Sequence, residues 1–332
     1  MIKIIIGCLI FCIILFLYLH IQFHLKTSDD LEIFEIEQAS KDRLEEVCNF
    51  RQPLLFELEP EHNKIIQTTN KRALNDIYPA FEVKIRDLSD VNNDNDLYVP
   101  LAFHSAYKLF NDDKKSNFLS ENNDDFLSET GTIKSIQQND QYLRPPLVSN
   151  CSYDVMMASL DAITPFRYLL NYRNYFMVTQ GSVQIKLTPP KNSKYLHPIH
   201  DYENFEFKSP VNPWNVQYRY KSDFDKMKCL EITLVPGKCL FLPAYWWYSF
   251  KFGKDSSMTC FYYKTYMNHF AILPDTIMYI LQNQNITRKI AKQHIHDGND
   301  DEIHNGDESN GPPISIESSN DNIDEVIKDT TN

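Results

Sequence analysis

Apolar residues fill every position from Ile4 to Leu19 except Gly7, and His20, Ile21, Gln22 and Phe23 extend the run with mixed character. At 1.5 Å per residue, about 20 helical residues cross a hydrocarbon core of roughly 30 Å, so the pattern predicts one membrane-spanning helix over 4–23. The exit, Leu19-His20-Ile21-Gln22-Phe23-His24, lacks the small residues of a signal-peptide cleavage site, which favours a retained anchor. Lys3 precedes the run while Lys26, Lys41 and Arg43 follow it, a distribution that assigns no side of the membrane. Further on, Leu31, Phe34, Leu44 and Val47 recur at helical spacing and predict a helix from about Leu31 to Phe50, stopped at Pro53. Stretches heavy in Asn and Asp, Ser89 to Asp96 and Asn111 to Asp125, predict surface loops bracketing an apolar segment from Val99 to Phe110.

In the middle of the chain the period changes to two. Val183, Ile185 and Leu187 alternate with Gln184, Lys186 and Thr188 after Tyr175 to Thr179 and the turn residue Gly181, which predicts strand, turn, strand. Leu230 to Val235, the turn Pro236-Gly237 and Cys239 to Leu242 predict a second such pair, and Ser257 to Tyr263 a following strand. Between them lies a long polar insertion from Lys191 to about Lys226. Short strands punctuated by Pro and Gly predict a mainly β domain, a small antiparallel barrel or sandwich with flanking helices. The last of these helices is expected from Asn268 to Ile290, with Phe270, Ile272, Leu273, Ile277, Ile280 and Leu281 as its apolar positions. The expected organisation is an anchor over 1–25, one domain over 26–292, and a tail over 293–332.

Charge sharpens this division. The formal net charge is -12, but residues 293–332 hold eleven acids against Lys328 alone, which leaves a nearly neutral body. Such a tail cannot bury enough apolar area to offset the entropy of ordering, so it reads as acidic and disordered. Nothing in the body resembles a basic face that would neutralise phosphates, so nucleic acid is not an expected partner. Only Gly131, Gly181, Gly237 and Gly253 occur between 26 and 292, too sparse for a phosphate-cradling loop. Five cysteines lie beyond the anchor, Cys48, Cys151, Cys229, Cys239 and Cys260, with no C-x-x-C pair, and read as buried free thiols. Asn150-Cys151-Ser152 and Asn285-Ile286-Thr287 are glycosylation sequons, which matter only in a secretory lumen.

One segment carries a resemblance. Pro236-Gly237-Lys238-Cys239-Leu240-Phe241-Leu242-Pro243-Ala244-Tyr245-Trp246-Trp247-Tyr248 resembles the Pro-Gly-Asp, Ile-Pro, Trp-Trp-His signature of the cupin-like, JmjC-related hydroxylases. Thr164-Pro165, Asn174, Gly181 and Leu187-Thr188-Pro189-Pro190 resemble the upstream half of that pattern, and Arg51-Gln52-Pro53-Leu54 its entry segment. The resemblance covers roughly residues 40 to 270 and implies a double-stranded β-helix, a cupin-like jelly roll. It also implies oxidation by Fe(II) and 2-oxoglutarate, with a His-x-Asp pair and a distant His as a facial triad. Residues i and i+2 of a strand project from one face, so such a pair can reach one metal.

Here the ligands themselves are missing. Counting from Thr164-Pro165 places Arg167 and Leu169 at the pair, and counting back from Asn174 and Gly181 places Tyr168 and Leu170 there. The distant His falls on Tyr248, and a Lys that some members use for the co-substrate falls on Val183. Arg stays protonated and has no acceptor, Leu has no donor atom, and one phenol makes a poor site alone. An Arg167 pointing into the vacated hollow would need a carboxylate partner. The expected protein is therefore a membrane-anchored, non-catalytic relative with a binding or scaffolding role and no cofactor. Two alternatives stand beside it: an active oxygenase with His197, His200 and Asp201 as unusual ligands for Fe(II), and a purely structural membrane protein. Aromatic density suggests a pocket with Asn174, Lys186, Trp246 and Trp247 on its wall. In relatives the carboxy-terminal helices can support dimers, so a homodimer through that helix is expected.

Overall fold

The computed structural model describes residues 2–37, 40–58, 63–90 and 98–285. Residues 1–283 form one compact unit, to which everything below belongs. The apolar run forms α1 (Ile2–Leu25), longer than the expected span by two residues at each end.

The first half of the domain is built from β1 (Phe34–Ile36), β2 (Leu54–Glu57), β3 (Glu82–Asp87), β4 (Tyr98–Ala102), β5 (Phe118–Ser120) and β6 (Val148–Ala158). The second half supplies β7 (Phe166–Tyr168), β8 (Arg173–Gln180), β9 (Val183–Thr188), β10 (Ile199–Asp201), β11 (Glu206–Ser209), β12 (Leu230–Leu234), β13 (Lys238–Pro243), β14 (Trp247–Phe252) and β15 (Ser257–Thr265). Among the described residues these make two sheets. One has the order β1-β2-β13-β8-β15-β6-β5-β3-β4, the other β10-β11-β7-β14-β9-β12. All pairings are antiparallel except β1 with β2. The helices are α2 (Lys41–Cys48), α3 (Asn63–Thr69), α4 (Lys71–Ile77), α5 (Phe103–Asp112), α6 (Asp124–Glu129), α7 (Thr132–Asn139), α8 (Tyr218–Phe224) and α9 (Tyr266–Ala271).

Strand parity explains where the core sits. On β8, Phe176 and Val178 join Ile185, Leu187, Tyr248 and Phe250 of the other sheet in one cluster between the sheets. Tyr175 and Met177, one step out of phase, pack instead with Leu44 of α2 and Ile65 of α3 on the outer face. A strand buried on both faces reads as a continuous apolar run, which is why Tyr175 to Val178 shows no alternation. The helical layer is also pinned electrostatically: buried Arg173 donates from Nη1 and Nη2 to Glu45 of α2, at 2.8 and 2.6 Å.

Both expected strand pairs exist as strands but do not pair with each other. β8 and β9 belong to different sheets, and so do β12 and β13, because their turns carry the chain from one sheet to the other. Gly181 makes the first crossing at φ +70, where a Cβ would stand 2.8 Å from the Ser256 Cα. Gly181→Ala combines left-handed strain with that overlap and is expected to cost about 1–3 kcal/mol. A denaturant midpoint unchanged in this variant would contradict the close approach at this corner.

Other expectations need correction. The helix expected over Leu31 to Phe50 is confined to α2, capped by Ser40 Oγ accepting from the Arg43 amide, while Phe34–Ile36 pairs in parallel with Leu54–Phe56. Asn111 to Asp125 is not a loop throughout: Leu119 and Ser120 are buried in β5, which pairs with β3 and β6. The polar insertion contributes β10, β11 and α8, extending the second sheet rather than leaving it. Arg167 lies in β7. Residues 91–96 of the other expected loop, residues 286–290 of the last expected helix and the acidic tail lie outside the described residues. The last helix breaks at Ile272 into α9 and a second helical stretch over 273–283, with Pro274 in its first turn, where a missing N–H costs little. Cys48, Cys239 and Cys260 are buried free thiols as expected, while Cys151 and Cys229 are half-buried. Asn150 is exposed on β6, opposite Lys264.

The foot of α1 is held by the domain. Arg51 Nη1 donates to the carbonyls of His24 and Lys26 at 2.8 and 3.0 Å, and its guanidinium lies 4.1 Å from the Phe23 ring centroid. The His24 ring packs beside Tyr172, and α9 lies against α1.

Candidate functional site

A buried ring of charge joins the two sheets at one end. Arg86 on β3 and Glu121 just past β5 come from the larger sheet; Arg167 on β7 and Glu206 at the start of β11 come from the smaller. Arg167 donates from Nη2 to Glu121 Oε2 at 2.5 Å, and from Nη1 to Glu121 Oε1 and Glu206 Oε1 at 3.2 and 3.1 Å. Arg86 Nη1 donates to the same two Oε1 atoms at 3.0 and 3.1 Å. Tyr98 Oη adds a bond to Glu121 Oε1 at 3.1 Å. Two guanidiniums thus face two carboxylates, and Lys208 Nζ adds a longer contact to Glu206 Oε2 at 3.8 Å.

Burial decides what such a ring is worth. Glu121 is 2% exposed and Arg167 8%. Burial pushes the Glu121 carboxyl up, but Arg167 and Arg86 outweigh it and hold the group down at about 2. Asp154 supports the ring from below, its carboxylate accepting from the Asn122 and Asn123 amides at 2.8 Å each, immediately after Glu121. Burial lifts the Asp154 carboxyl to about 6 against the pull of those amides.

Two members of the ring, Arg167 and Glu206, line a cleft of about 170 Å³ whose other walls include Tyr98, Asn122, Tyr168, Leu169 and Phe207. Tyr168 stacks on Phe207 with centroids 5.2 Å apart, and meets Trp247 edge-on at 4.8 Å. Arg167 is the cross-strand partner of Tyr248 on one side and Lys208 on the other, with its guanidinium 5.7 Å from the Tyr248 ring. Burial raises the Tyr248 phenol well above its ordinary value.

A family model described as a cupin-like domain matches residues 39–269. The chain belongs to the cupin-like domain family. HSPB1-associated protein 1 of Rattus norvegicus is 31% identical over 93 residues, which are 28% of this chain and 19% of that protein. The same protein of Bos taurus and of Homo sapiens matches with the same identity and coverage. This chain thus spans about a fifth of the length of those relatives, which are JmjC-related proteins.

Within this cupin-like domain the residues singled out by sequence are only partly brought together. Arg167, Tyr168 and Leu169 line the cleft, and the Leu169 carbonyl accepts from the Tyr245 amide at 2.9 Å. Leu170 is buried behind the cleft wall in a small cluster with Phe207 and Ile272. Tyr248 sits in the core between the sheets. Asn174, Lys186, Trp246 and Trp247 do not share one pocket wall, because they are divided between different faces of the sheets. Asn174 donates to the Leu242 carbonyl inside the larger sheet, and Lys186 reaches the Pro213 carbonyl and the Trp214 ring on the outer face of the smaller one. Trp246 is buried between the sheets, whereas Trp247 packs with Phe166 on the opposite face and donates to Ser193 Oγ.

His197, His200 and Asp201 also diverge. His197 pairs with Asp223 at 3.1 Å, His200 meets the Tyr168 and Tyr202 hydroxyls, and Asp201 accepts from the Glu203 and Asn204 amides. Among the described residues no group of three His, Cys, Asp or Glu is placed to hold a metal ion. Sequence reasoning missed Glu121, Glu206 and Arg86. The need of Arg167 for a carboxylate was visible, but its partners lie 46 and 39 residues away in regions without any recognisable motif.

Proposed function

We propose that this is a membrane-anchored member of the cupin-like family in which the catalytic metal site has been exchanged for an ion-pair ring, leaving a binding or scaffolding role. The two sheets, exchanged at Gly181 and Pro236-Gly237, are read as the family's double-stranded β-helix. One observation carries the proposal: Arg167, opposite Tyr248, is engaged by Glu121 and Glu206.

The residues there do not fit Fe(II). Arg167 has no lone pair to offer, Leu169 has no donor atom, and the Tyr248 phenol is held protonated by burial. The carboxylates of Glu121 and Glu206 are committed to guanidiniums, and an added dication would face the fixed positive charges of Arg86, Arg167 and Lys208. Val183, where some relatives hold a co-substrate with Lys, is buried in the core between the sheets. The anchor is α1, long and apolar enough to cross a membrane and uncovered along its apolar length. A binding role is also the class of role that the relatives' printed name gives to them.

The test is succinate release from 2-oxoglutarate by the full-length protein in detergent with Fe(II) and ascorbate. The expected result is no release above the protein-free background. Release that disappears in the His200→Ala, Asp201→Asn double variant would overturn the proposal in favour of an oxygenase with unusual ligands.

A further inference from the structure

The helical stretch over 273–283 is amphipathic in the wrong sense for a domain surrounded by water. Leu273, Ile277, Ile280 and Leu281 fall at i, i+4, i+7 and i+8, a spacing that gathers them on one face, and each is about half exposed. The side that meets the domain is carried by Asp275, which accepts from the Tyr202 hydroxyl at 3.4 Å, and by Tyr279, whose ring meets Phe205 edge-on at 5.4 Å. A surface helix ordinarily buries its apolar stripe and exposes its polar one; here a carboxylate faces the protein and the aliphatic stripe faces outward.

We propose that this helix lies along the lipid bilayer as a second membrane contact beside α1, its aliphatic stripe at the headgroup and acyl boundary. The proposal rests on the reading of α1 as the anchor. What identifies lipid as the occupant is continuity with the foot of that helix. α9, which leads directly into the stretch, packs against α1, and Thr265 Oγ1 at the N-cap of α9 lies 3.4 Å from His24 Nε2. Other exposed apolar side chains gather at the same foot from separate parts of the chain. Leu147, 78% exposed, precedes Val148, the cross-strand partner of Thr265. Phe50 precedes Arg51, which holds the last carbonyls of α1, and Tyr266 and Phe270 belong to α9. These residues share nearness to the end of α1, and a plane of lipid touching the base of the domain would select that arrangement. The fixed junction at Arg51 and His24 sets the domain's tilt, so the stripe is presented at a constant angle to the anchor.

The experiment uses the full-length protein in phosphatidylcholine vesicles containing lipid with an acyl-chain nitroxide. A nitrobenzoxadiazole label is placed singly at Leu9→Cys, Ile280→Cys or Leu160→Cys, with Cys8, Cys12, Cys151 and Cys229 replaced by Ser. Leu160 lies just past the far end of β6, roughly 35 Å from Val148 at about 3.3 Å per residue, and serves as the solvent reference. Loss of fluorescence at positions 9 and 280, with none at 160, is the expected result. Quenching at 9 without quenching at 280 overturns the second contact and leaves the anchor in place. Quenching at neither position removes both. A label at 280 that escapes the nitroxide but shifts to the blue as the chain self-associates assigns the stripe to a second copy and equally overturns the proposal.

Discussion

Arg167→Met is expected to destabilise the domain by about 3–5 kcal/mol, because it leaves the Glu121 carboxylate buried with one guanidinium where it now has two. Methionine keeps the volume, so the loss reports charge rather than a cavity. Charge balance then makes a sharper prediction. Arg167→Met combined with Glu121→Gln removes one cation and one anion and leaves Arg86 paired with Glu206, so the double variant is expected to be more stable than Arg167→Met alone. Urea denaturation of the full chain in detergent at neutral pH compares the unaltered protein, Arg167→Met, Glu121→Gln and the double variant. Losses that simply add would show that the ring does not act as a unit.

Trp246→Ala is expected to cost a comparable amount, about 3–5 kcal/mol, for a different reason. Trp246 is fully buried between the sheets, and its removal opens a cavity that neighbours fixed in paired strands cannot collapse to fill. Its indole Nε1 is buried without a hydrogen-bond partner. Trp246→Phe therefore removes an orphaned donor along with some volume and is expected to cost much less than the alanine change. The same denaturation series distinguishes these outcomes. Equal losses for Phe and Ala would mean that the indole N–H makes a bond the structure does not contain.

Much of the architecture was legible where the sequence obeys a period. The apolar run of α1 and the strands at 173–180, 183–188, 230–234, 238–243 and 257–265 all follow from alternation, apolar runs and turn residues. Pairing was not legible, since a Gly or Pro-Gly turn between two strands signals a hairpin and a sheet-to-sheet corner equally well. Short strands inside polar surroundings were also hidden: Phe118–Ser120 holds only two apolar residues, and its burial comes from neighbours on β3 and β6.

The candidate site divides in the same way. The proposed loss of the metal ligands comes from placing Arg167 and Tyr248 against the family pattern, and the structure puts those two residues opposite one another across β7 and β14. The identity of the replacement could not be read, because Glu121 and Glu206 gain their role from the meeting of two sheets and not from any local pattern. For the same reason Trp246, just before β14, and Trp247, its first residue, belong to different clusters and do not line a single pocket.

The most direct measurement is Fe(II) binding by the full-length protein in detergent, titrated anaerobically with and without 2-oxoglutarate. An ion-pair ring in place of the triad predicts no stoichiometric site and no increase in affinity when the co-substrate is added. Binding of one Fe(II) per chain that strengthens with 2-oxoglutarate would contradict it.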